Sequence, residues 1–377
     1  MILQCRHFGA CGSCGLFEMG YEEQLKSKVT RVSRLLEPFY GDDLEIFSSP
    51  DSHYRARAEF RIWHEGEQCS YAMGTLDRKG AVSIMECPKV IEPIERRMWD
   101  LLESINANKE LSHRLFSIEF LATTTDACLV TMIYHRRLTE DWISQAKVLE
   151  SRHAISVIGR SRKQKELLSE EYATEMLSID GSVYSYRYYE GGFTQPNPTV
   201  NVKMIEWAKK HAATANSGDL LESYCGLGNF TLPLSKLFTN VLATEISKSS
   251  IKAALENCAL NSIENITFVR LSSEEMTEAL ERKREFRRLA EVDLDSYDFS
   301  CVLVDPPRAG LDKATITLIS GIEHILYISC NPETLARDLQ ILTQTHTVAD
   351  AALFDQFPHT SHVESGVFLV KRQRATA

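Results

Sequence analysis

No stretch of this 377-residue chain reaches about 18 consecutive apolar residues, so no segment is expected to span a membrane. The first residues, Met1-Ile-Leu-Gln-Cys-Arg-His7, lack the basic-then-apolar order of a secretory signal, and a cytoplasmic protein is expected. Repeats and low-complexity tracts are absent. The 11 prolines and 18 glycines are too few for a fibrous or disordered chain. Positive charge is in deficit as well: 42 Lys and Arg stand against 52 Asp and Glu, a net charge of −10. A protein coated in basic residues is thereby excluded, and any polyanion site has to be local. Two tracts could supply one. Tyr54-Arg-Ala-Arg-Ala-Glu-Phe-Arg61 alternates basic with aromatic and small residues, and Arg152 to Lys165 holds Arg152, Arg160, Arg162, Lys163 and Lys165 with no acid. Cysteine is not scarce. Ten of them in a cytosolic chain imply thiols, metal ligands or catalysis rather than disulfides.

One glycine is missing where a dinucleotide site needs it. Glu222-Ser-Tyr-Cys-Gly-Leu-Gly-Asn-Phe230 follows an apolar strand, and Gly226 and Gly228 let the backbone turn and a ligand approach closely. The fingerprint for NAD or FAD has a third glycine where Thr231 stands. Glu245 ends the next strand nineteen residues after Gly226, where a carboxylate accepts hydrogen bonds from both ribose hydroxyls and repels a 2′-phosphate. A ribose without a pyrophosphate fits S-adenosylmethionine. The alternative is an ordinary strand–helix turn.

Periodicity divides the chain into three. Residues 1–46 hold a Cys-rich leader and a helix over Tyr21–Phe39, followed by a strand-like Leu44–Phe47. Residues 47–185 read mostly as strands, among them Ala58–Trp63, Phe116–Leu121, Cys128–Tyr134 and Ile155–Ile158. With helices near Glu95–Asn106 and Asp141–Arg152, they predict an α+β domain with an antiparallel sheet. Residues 186–377 change style. Strands at Leu220–Tyr224, Val241–Thr244, Thr267–Arg270, Cys301–Val304 and Ile325–Ser329 alternate with helices at Leu232–Phe238, Ser247–Asn261 and Pro332–Thr343. That order predicts an α/β domain with a parallel, doubly wound sheet. Arg282 to Glu291 reads as a charged, helix-like insertion.

The chemistry is expected at Ile325-Leu-Tyr-Ile-Ser-Cys-Asn-Pro-Glu-Thr-Leu335. Asn331 suits a helix N-cap and Pro332 a first helical position, so Cys330 stands between a strand's carboxyl end and a helix start. Open α/β sheets bind ligands at that edge, and a helix N-terminus favours the thiolate, the form that attacks. The competing reading is a packed structural thiol. Val304-Asp-Pro-Pro-Arg308 closes the fourth strand with two prolines that hold the chain extended. Amino-methyltransferases carry an aromatic residue after such prolines to stack on the base. Arg308 here counts against methylation of an exocyclic amine.

With these motifs the chain resembles the RNA uracil-C5 methyltransferase family over nearly its whole length from about Tyr21. The resemblance rests on Ser52–His64, Gly192-Phe-Thr-Gln-Pro-Asn197, Leu221–Phe230, Val304–Arg308, Ile328–Leu335 and Leu353-Phe-Asp-Gln-Phe-Pro-His-Thr-Ser-His-Val-Glu364. The first and last favour the tRNA branch over the ribosomal-RNA branch. The resemblance implies a class I, Rossmann-like S-adenosylmethionine domain beside an α+β RNA-recognition domain, acting as a monomer on a T-loop uridine of tRNA, with 23S rRNA as the alternative substrate. It implies Cys330 as nucleophile and Glu364 as general base, with Gln195, Tyr224, Asn229, Glu245 and Asp305 holding S-adenosylmethionine. Phe193, Tyr224 and Phe357 are candidate walls for a base that leaves its stack. Arg55, Arg57, Arg61 and the Arg152–Lys165 tract are candidates for phosphate contacts.

Cys5, Cys11 and Cys14 resemble the cluster-binding segment of the ribosomal-RNA branch, and Cys87 before Pro88 resembles its distant fourth ligand. The resemblance implies a [4Fe–4S] cluster that clamps the N-terminus, with tetrahedral zinc or free thiols as alternatives. Cys69, Cys128, Cys258 and Cys301 read as packing residues.

Overall fold

The computed structural model describes residues 4–215 and 218–373. A helix over Tyr21–Leu36 leads to a short strand, β1 (Glu45–Phe47). Seven strands follow: β2 (Arg57–Glu65), β3 (Gln68–Gly74), β4 (Ala81–Ser83), β5 (Leu115–Ala122), β6 (Cys128–Tyr134), β7 (Ser156–Ser161) and β8 (Gln164–Leu167). They form one sheet in the order β4-β3-β2-β5-β6-β7-β8. Alternation along β2 shows why it is one-sided: Ala58, Phe60 and Ile62 are buried, while Glu59, Arg61 and Trp63 face outward. Helices Glu92–Asn106 and Glu140–His153 cover the buried face. The expected antiparallel sheet needs one correction. β6 and β7 run parallel, because helix Glu140–His153 carries the chain back between them.

A hairpin, β9 (Tyr172–Ile179) and β10 (Ser182–Tyr189), forms a sheet of its own. It leaves the seven-stranded sheet and packs its Leu177, Tyr184 and Tyr186 into the core of the C-terminal unit. Asn257 and Asn261 of helix Lys248–Leu260 and its cap fasten β10 by accepting from Arg187 N at 2.8 Å and Ser185 N at 2.9 Å. A domain boundary drawn at 185/186 therefore falls inside a strand.

The C-terminal sheet is built from β11 (Asp219–Ser223), β12 (Val241–Thr244), β13 (Ile266–Val269), β14 (Phe299–Val304), β15 (His324–Ser329), β16 (His346–Phe354) and β17 (Glu364–Lys371). Its order is β1-β16-β17-β15-β14-β11-β12-β13. The five strands expected from sequence are parallel, as a doubly wound fold requires. The expectation of a wholly parallel sheet is corrected by β17, which runs antiparallel to both β15 and β16. β1 pairs with β16, so residues 45–47 belong to this sheet and not to a separate leader. Helix Tyr21–Leu36 belongs with it too, through Lys28, whose ammonium lies 2.7 Å from Asp355 in a fully buried ion pair. The charged insertion is not a helix. Arg282, at φ +58°, follows helix Ser273–Leu280, and up to Glu291 only Arg287–Leu289 form a 3-10 turn, held to the core by Phe286 and Leu289. Too few of its residues are apolar to give a helix a buried stripe.

Candidate active site

Strand ends set the site. The carboxyl ends of β12, β11, β14 and β15 lie side by side in register, Thr244 with Ser223, Ser223 with Val304, and Val304 with Tyr327. The residues just past those ends are Glu245, Tyr224 and Asp305, with Cys330 following β15. Because β17 is antiparallel, its first residue, Glu364, comes to the same edge. Ser329 pairs with Ser365, and continuing that register by one residue sets Cys330 opposite Glu364, about 5 Å away between backbones. Five of the residues read from sequence thus share one edge, in the order Glu245, Tyr224, Asp305, Cys330, Glu364.

The turn after β11 is shaped as expected. Tyr224 takes φ +66°, Gly226 φ +57° and Gly228 φ +90°. A Cβ on Gly228 would lie 2.4 Å from Leu232, while one on Gly226 would meet nothing within 4 Å, so that face stays open for a ligand. Glu245 is fixed by two backbone donors, Gly226 N at 3.2 Å and Ser247 N at 2.7 Å. The hydroxyl of Tyr224 bonds to Ser273, at the start of the helix after β13. The Asn229 amide is already engaged, exchanging hydrogen bonds of 2.8 and 2.9 Å with Asn201. Gln195 lies half-buried in a segment held from two sides: Pro196 O accepts from Ala56 N at 2.8 Å, and Asn197 N donates to Gln356 at 3.1 Å. Phe193, two residues earlier, is 71% exposed. Tyr224 and Phe357 are half-buried.

Electrostatics at the edge correct one expectation. The thiol of half-buried Cys330 is pushed up to about 11, by burial first, then by the fields of Glu364 and Asp305, with Arg308 opposing. The helix start at Pro332 does not outweigh them, because burial and two acids act on the sulfur together. In the free protein the thiol is protonated. Glu364, only 5% exposed, is held well above the usual carboxylate range by burial and by Asp305. Asp305 is pushed up to about 7 by burial. A residue given no role from sequence joins them. Glu222 is 1% exposed, is pushed up to about 8 chiefly by burial, and has one carboxylate oxygen without a partner. The signal was available: a charged residue inside the apolar strand Leu220–Ser223. Arg308 is the cation that faces this group, and its guanidinium stands 3.3 Å from the His362 ring.

The sequence profile of the tRNA (uracil-5-)-methyltransferase family matches residues 20–372. The chain belongs to that family. A tRNA/tmRNA (uracil-C(5))-methyltransferase of Sulfurovum is 69% identical over 369 residues, 98% of this chain and 100% of the relative. One from Saccharophagus degradans is 51% identical over 355 residues, covering 93% and 97%. The fold matches that of Pyrococcus abyssi tRNA (uracil-54, C5)-methyltransferase, solved with S-adenosyl-L-homocysteine, at a TM-score of 0.73 and 22% identity over 95% of this chain and 86% of that one. As a family member the protein is an S-adenosylmethionine-dependent RNA uracil-C5 methyltransferase.

The four cysteines that resemble a metal site lie on the N-terminal side of the chain. Cys5, Cys11, Cys14 and Cys87 all line one cavity of about 830 Å³, which also reaches Arg308, Phe357 and His362. Burial raises Cys87 to about 11, and Cys14 and Cys11 add to it, so the sulfurs sense one another. Four sulfurs bound to a single zinc stand about 3.8 Å apart. Among the described residues no three of these four thiols come within 4.8 Å of one another. The one close triad, Glu45, His211 and Asp350, already holds a cation: Lys210 lies 2.8 Å from Glu45 and 3.6 Å from Asp350. Cys69, Cys128, Cys258 and Cys301 are buried, as is Cys225.

The basic residues of the two tracts differ in their partners. Arg57 is a strut, paired with Glu119 and donating to the carbonyl of Gly192. Arg61 faces outward from the same strand and makes no ion pair among the described residues. Arg160 and Lys165 share Glu190. No helix among the described residues is long and apolar enough to cross a membrane.

Proposed function

We propose that the protein methylates C5 of a uridine in the T-loop of tRNA, and that Cys330 and Glu364 carry the chemistry. The observation behind this is their opposition at the strand edge, beside the Gly226–Glu245 turn. S-adenosylmethionine, when bound, supplies a methyl group on a positively charged sulfur. Tyr224, Glu245 and Asp305 would hold it, with the Glu245 carboxylate accepting from the ribose hydroxyls. Asn229 acts through Asn201 to shape the turn, and Gln195 is assigned to the methyl donor by the family resemblance.

Uracil C5 is a weak nucleophile. The Cys330 thiolate adds to C6, and the electron pair of the C5–C6 bond moves toward C5 and the O4 enolate. C5 takes the methyl group, leaving the neutral thioether. Glu364 then removes the C5 proton, and that electron pair re-forms the double bond and expels the Cys330 thiolate. Burial first, then the fields of Glu364 and Asp305, keep the thiol protonated in the free protein. A sulfonium bound beside them would offset those fields and favour release of the Cys330 and Glu364 protons to solvent, leaving a thiolate to attack and a carboxylate to act as base. The target base leaves its stack to reach the thiol, with Phe193 exposed at the entrance.

The family match, the length of the resemblance and the relatives' identity support tRNA over ribosomal RNA. Incubation with 5-fluorouracil-containing tRNA and with a 23S rRNA fragment separates the two. A covalent adduct on tRNA alone is expected, with none for Cys330→Ala and accumulation with unmodified tRNA for Glu364→Gln. An adduct confined to rRNA, or turnover by Cys330→Ala, overturns the reading. We infer further that Cys5, Cys11, Cys14 and Cys87 hold a [4Fe–4S] cluster, which joins the loop Cys5–Gly15 to the Glu86–Lys89 segment. Near four iron and four sulfide per chain, lost in Cys87→Ser, are expected of anaerobically purified protein, and zinc in their place refutes the cluster.

A further inference from the structure

The seven-stranded sheet ends in a basic groove that the reaction does not use. It is a cavity of about 990 Å³ at the β6–β7–β8 edge, lined by Arg136, Arg137, Arg160, Arg162 and Lys163 against the single acid Glu166. Arg136 is tied to Glu110 and Arg160 to Glu190. Arg137, Arg162 and Lys163 are exposed and make no ion pair among the described residues. In a chain of net charge −10, such a cluster is not the average surface.

One local cost is accepted to place these charges. Arg162 and Lys163 form the two-residue turn between β7 and β8, where Lys163 takes φ +60°, a position suited to Gly or Asn.

The groove also opens onto a continuous tract. It shares His135 with a cavity lined by Arg114, His64 and Phe116, where Phe116 stacks on His135 at 4.2 Å. That cavity shares Phe116 with the next, which holds Arg61 and Arg78. The third shares Gly12, Ser13 and Glu59 with the cavity that reaches Arg308 and His362. Basic groups interleaved with exposed rings therefore run from the β7–β8 turn to the reacting edge. This is the pattern of a nucleic-acid backbone path rather than of a pocket for one small anion.

We propose that the β6–β7–β8 groove binds the sugar-phosphate backbone of the RNA outside the arm that carries the target uridine. The proposal rests on the reading of the protein as a tRNA methyltransferase and extends it. The enzyme grips the folded RNA at two places, the target loop at the strand edge and a second helical segment at the far end of the sheet.

The test is the triple variant Arg137→Glu/Arg162→Glu/Lys163→Glu, compared with wild type for binding and methylation of full-length tRNA and of an isolated T-arm stem-loop across a salt series. The wild-type preference for full-length tRNA is expected to fall by tenfold or more. The slope of log Kd against log salt should drop by about 2 to 3 for the full RNA, near 0.9 per lost phosphate contact. Stem-loop methylation and the melting temperature serve as the folding control. Undiminished binding of full-length tRNA by the variant overturns the groove, and so does equal loss on both RNAs. Loss of polyglutamate binding with tRNA binding intact overturns it too, and assigns the groove to an acidic protein. Failure of the wild type to methylate either RNA sinks the functional reading itself, and the groove with it.

Discussion

Glu222, Asp305 and Glu364 are acids whose burial favours the protonated form, with Arg308 opposing it at Glu364, and that makes the free site a store of protons. The sign follows from linkage. A carboxyl raised from about 4 when unfolded to about 7 or 8 when folded binds more protons in the native state, so stability is lost as pH rises through that window. The free protein should be more stable at pH 5.5 than at pH 8.5, by on the order of a few kcal/mol. Glu222→Gln should flatten this dependence and keep the fold, because the amide needs no charge there. Melting curves from pH 5 to 9 check it, and an unchanged slope in the variant would place the titration elsewhere. The same fields make a second residue-scale outcome. Cys330 should react slowly with iodoacetamide at pH 7.5 and about tenfold faster per pH unit until near 11. The position of Cys330 was legible in the Ser329-Cys330-Asn331-Pro332 pattern. Its charge state was not, because two of the groups that set it come from distant strands, β14 and β17.

At the scale of elements, β17 decides whether the base meets the nucleophile. Its register is held through Gly366, where a Cβ would approach Trp207 to 2.9 Å and Phe354 to 3.0 Å, both ring atoms in a packed core. Gly366→Ala should therefore displace the strand that begins at Glu364. Expected are a loss of about 1–3 kcal/mol in urea unfolding and a larger fall in kcat than in S-adenosylmethionine affinity. The five parallel strands were legible from their apolar runs and the helices between them. β16 and β17 were not assigned, since two strands joined by Asp355–Val363 break the strand–helix alternation that identified the others. Within β2, period-2 alternation told which side chains point outward but not which of them are engaged. Arg61→Ala should weaken tRNA binding several-fold, reduce the salt slope by about 1 and leave melting unchanged. Arg57→Ala should instead destabilise, by about 1–3 kcal/mol, because it strips Glu119 and the Gly192 carbonyl of their partner next to Phe193. Equal effects of the two substitutions would erase the distinction.

Across the whole molecule, the chain's beginning is built into its end. β1 extends the sheet beside β16, and the preceding helix crosses to the loop between β16 and β17. Gln24 accepts from His359 N at 2.8 Å, Lys28 pairs with Asp355 at 2.7 Å, and Arg31 donates to Ser361 O at 3.0 Å. Those three residues, one helical turn apart, brace the loop that delivers Glu364, and the Cys-rich segment adds Leu16 N to His359 O. In the sequence the helix is only amphipathic, and Lys28 looks like any solvated lysine; a partner 327 positions away leaves no local trace. Burial turns that lysine into the strongest test of the arrangement. Removing it takes the cation from the fully buried Asp355, which costs about 3–5 kcal/mol when one member of such a pair is lost. Lys28→Ala should lower stability by that order in urea unfolding, whereas Lys26→Ala, on the exposed face two residues earlier, should stay within about 0.5 kcal/mol. At temperatures where the Lys28 variant remains folded, kcat should fall more than the affinity for S-adenosylmethionine, because the loosened loop carries the base and not the Gly226–Glu245 turn. A variant that unfolds more easily yet turns over at the wild-type rate would show that the helix supports the sheet without positioning Glu364.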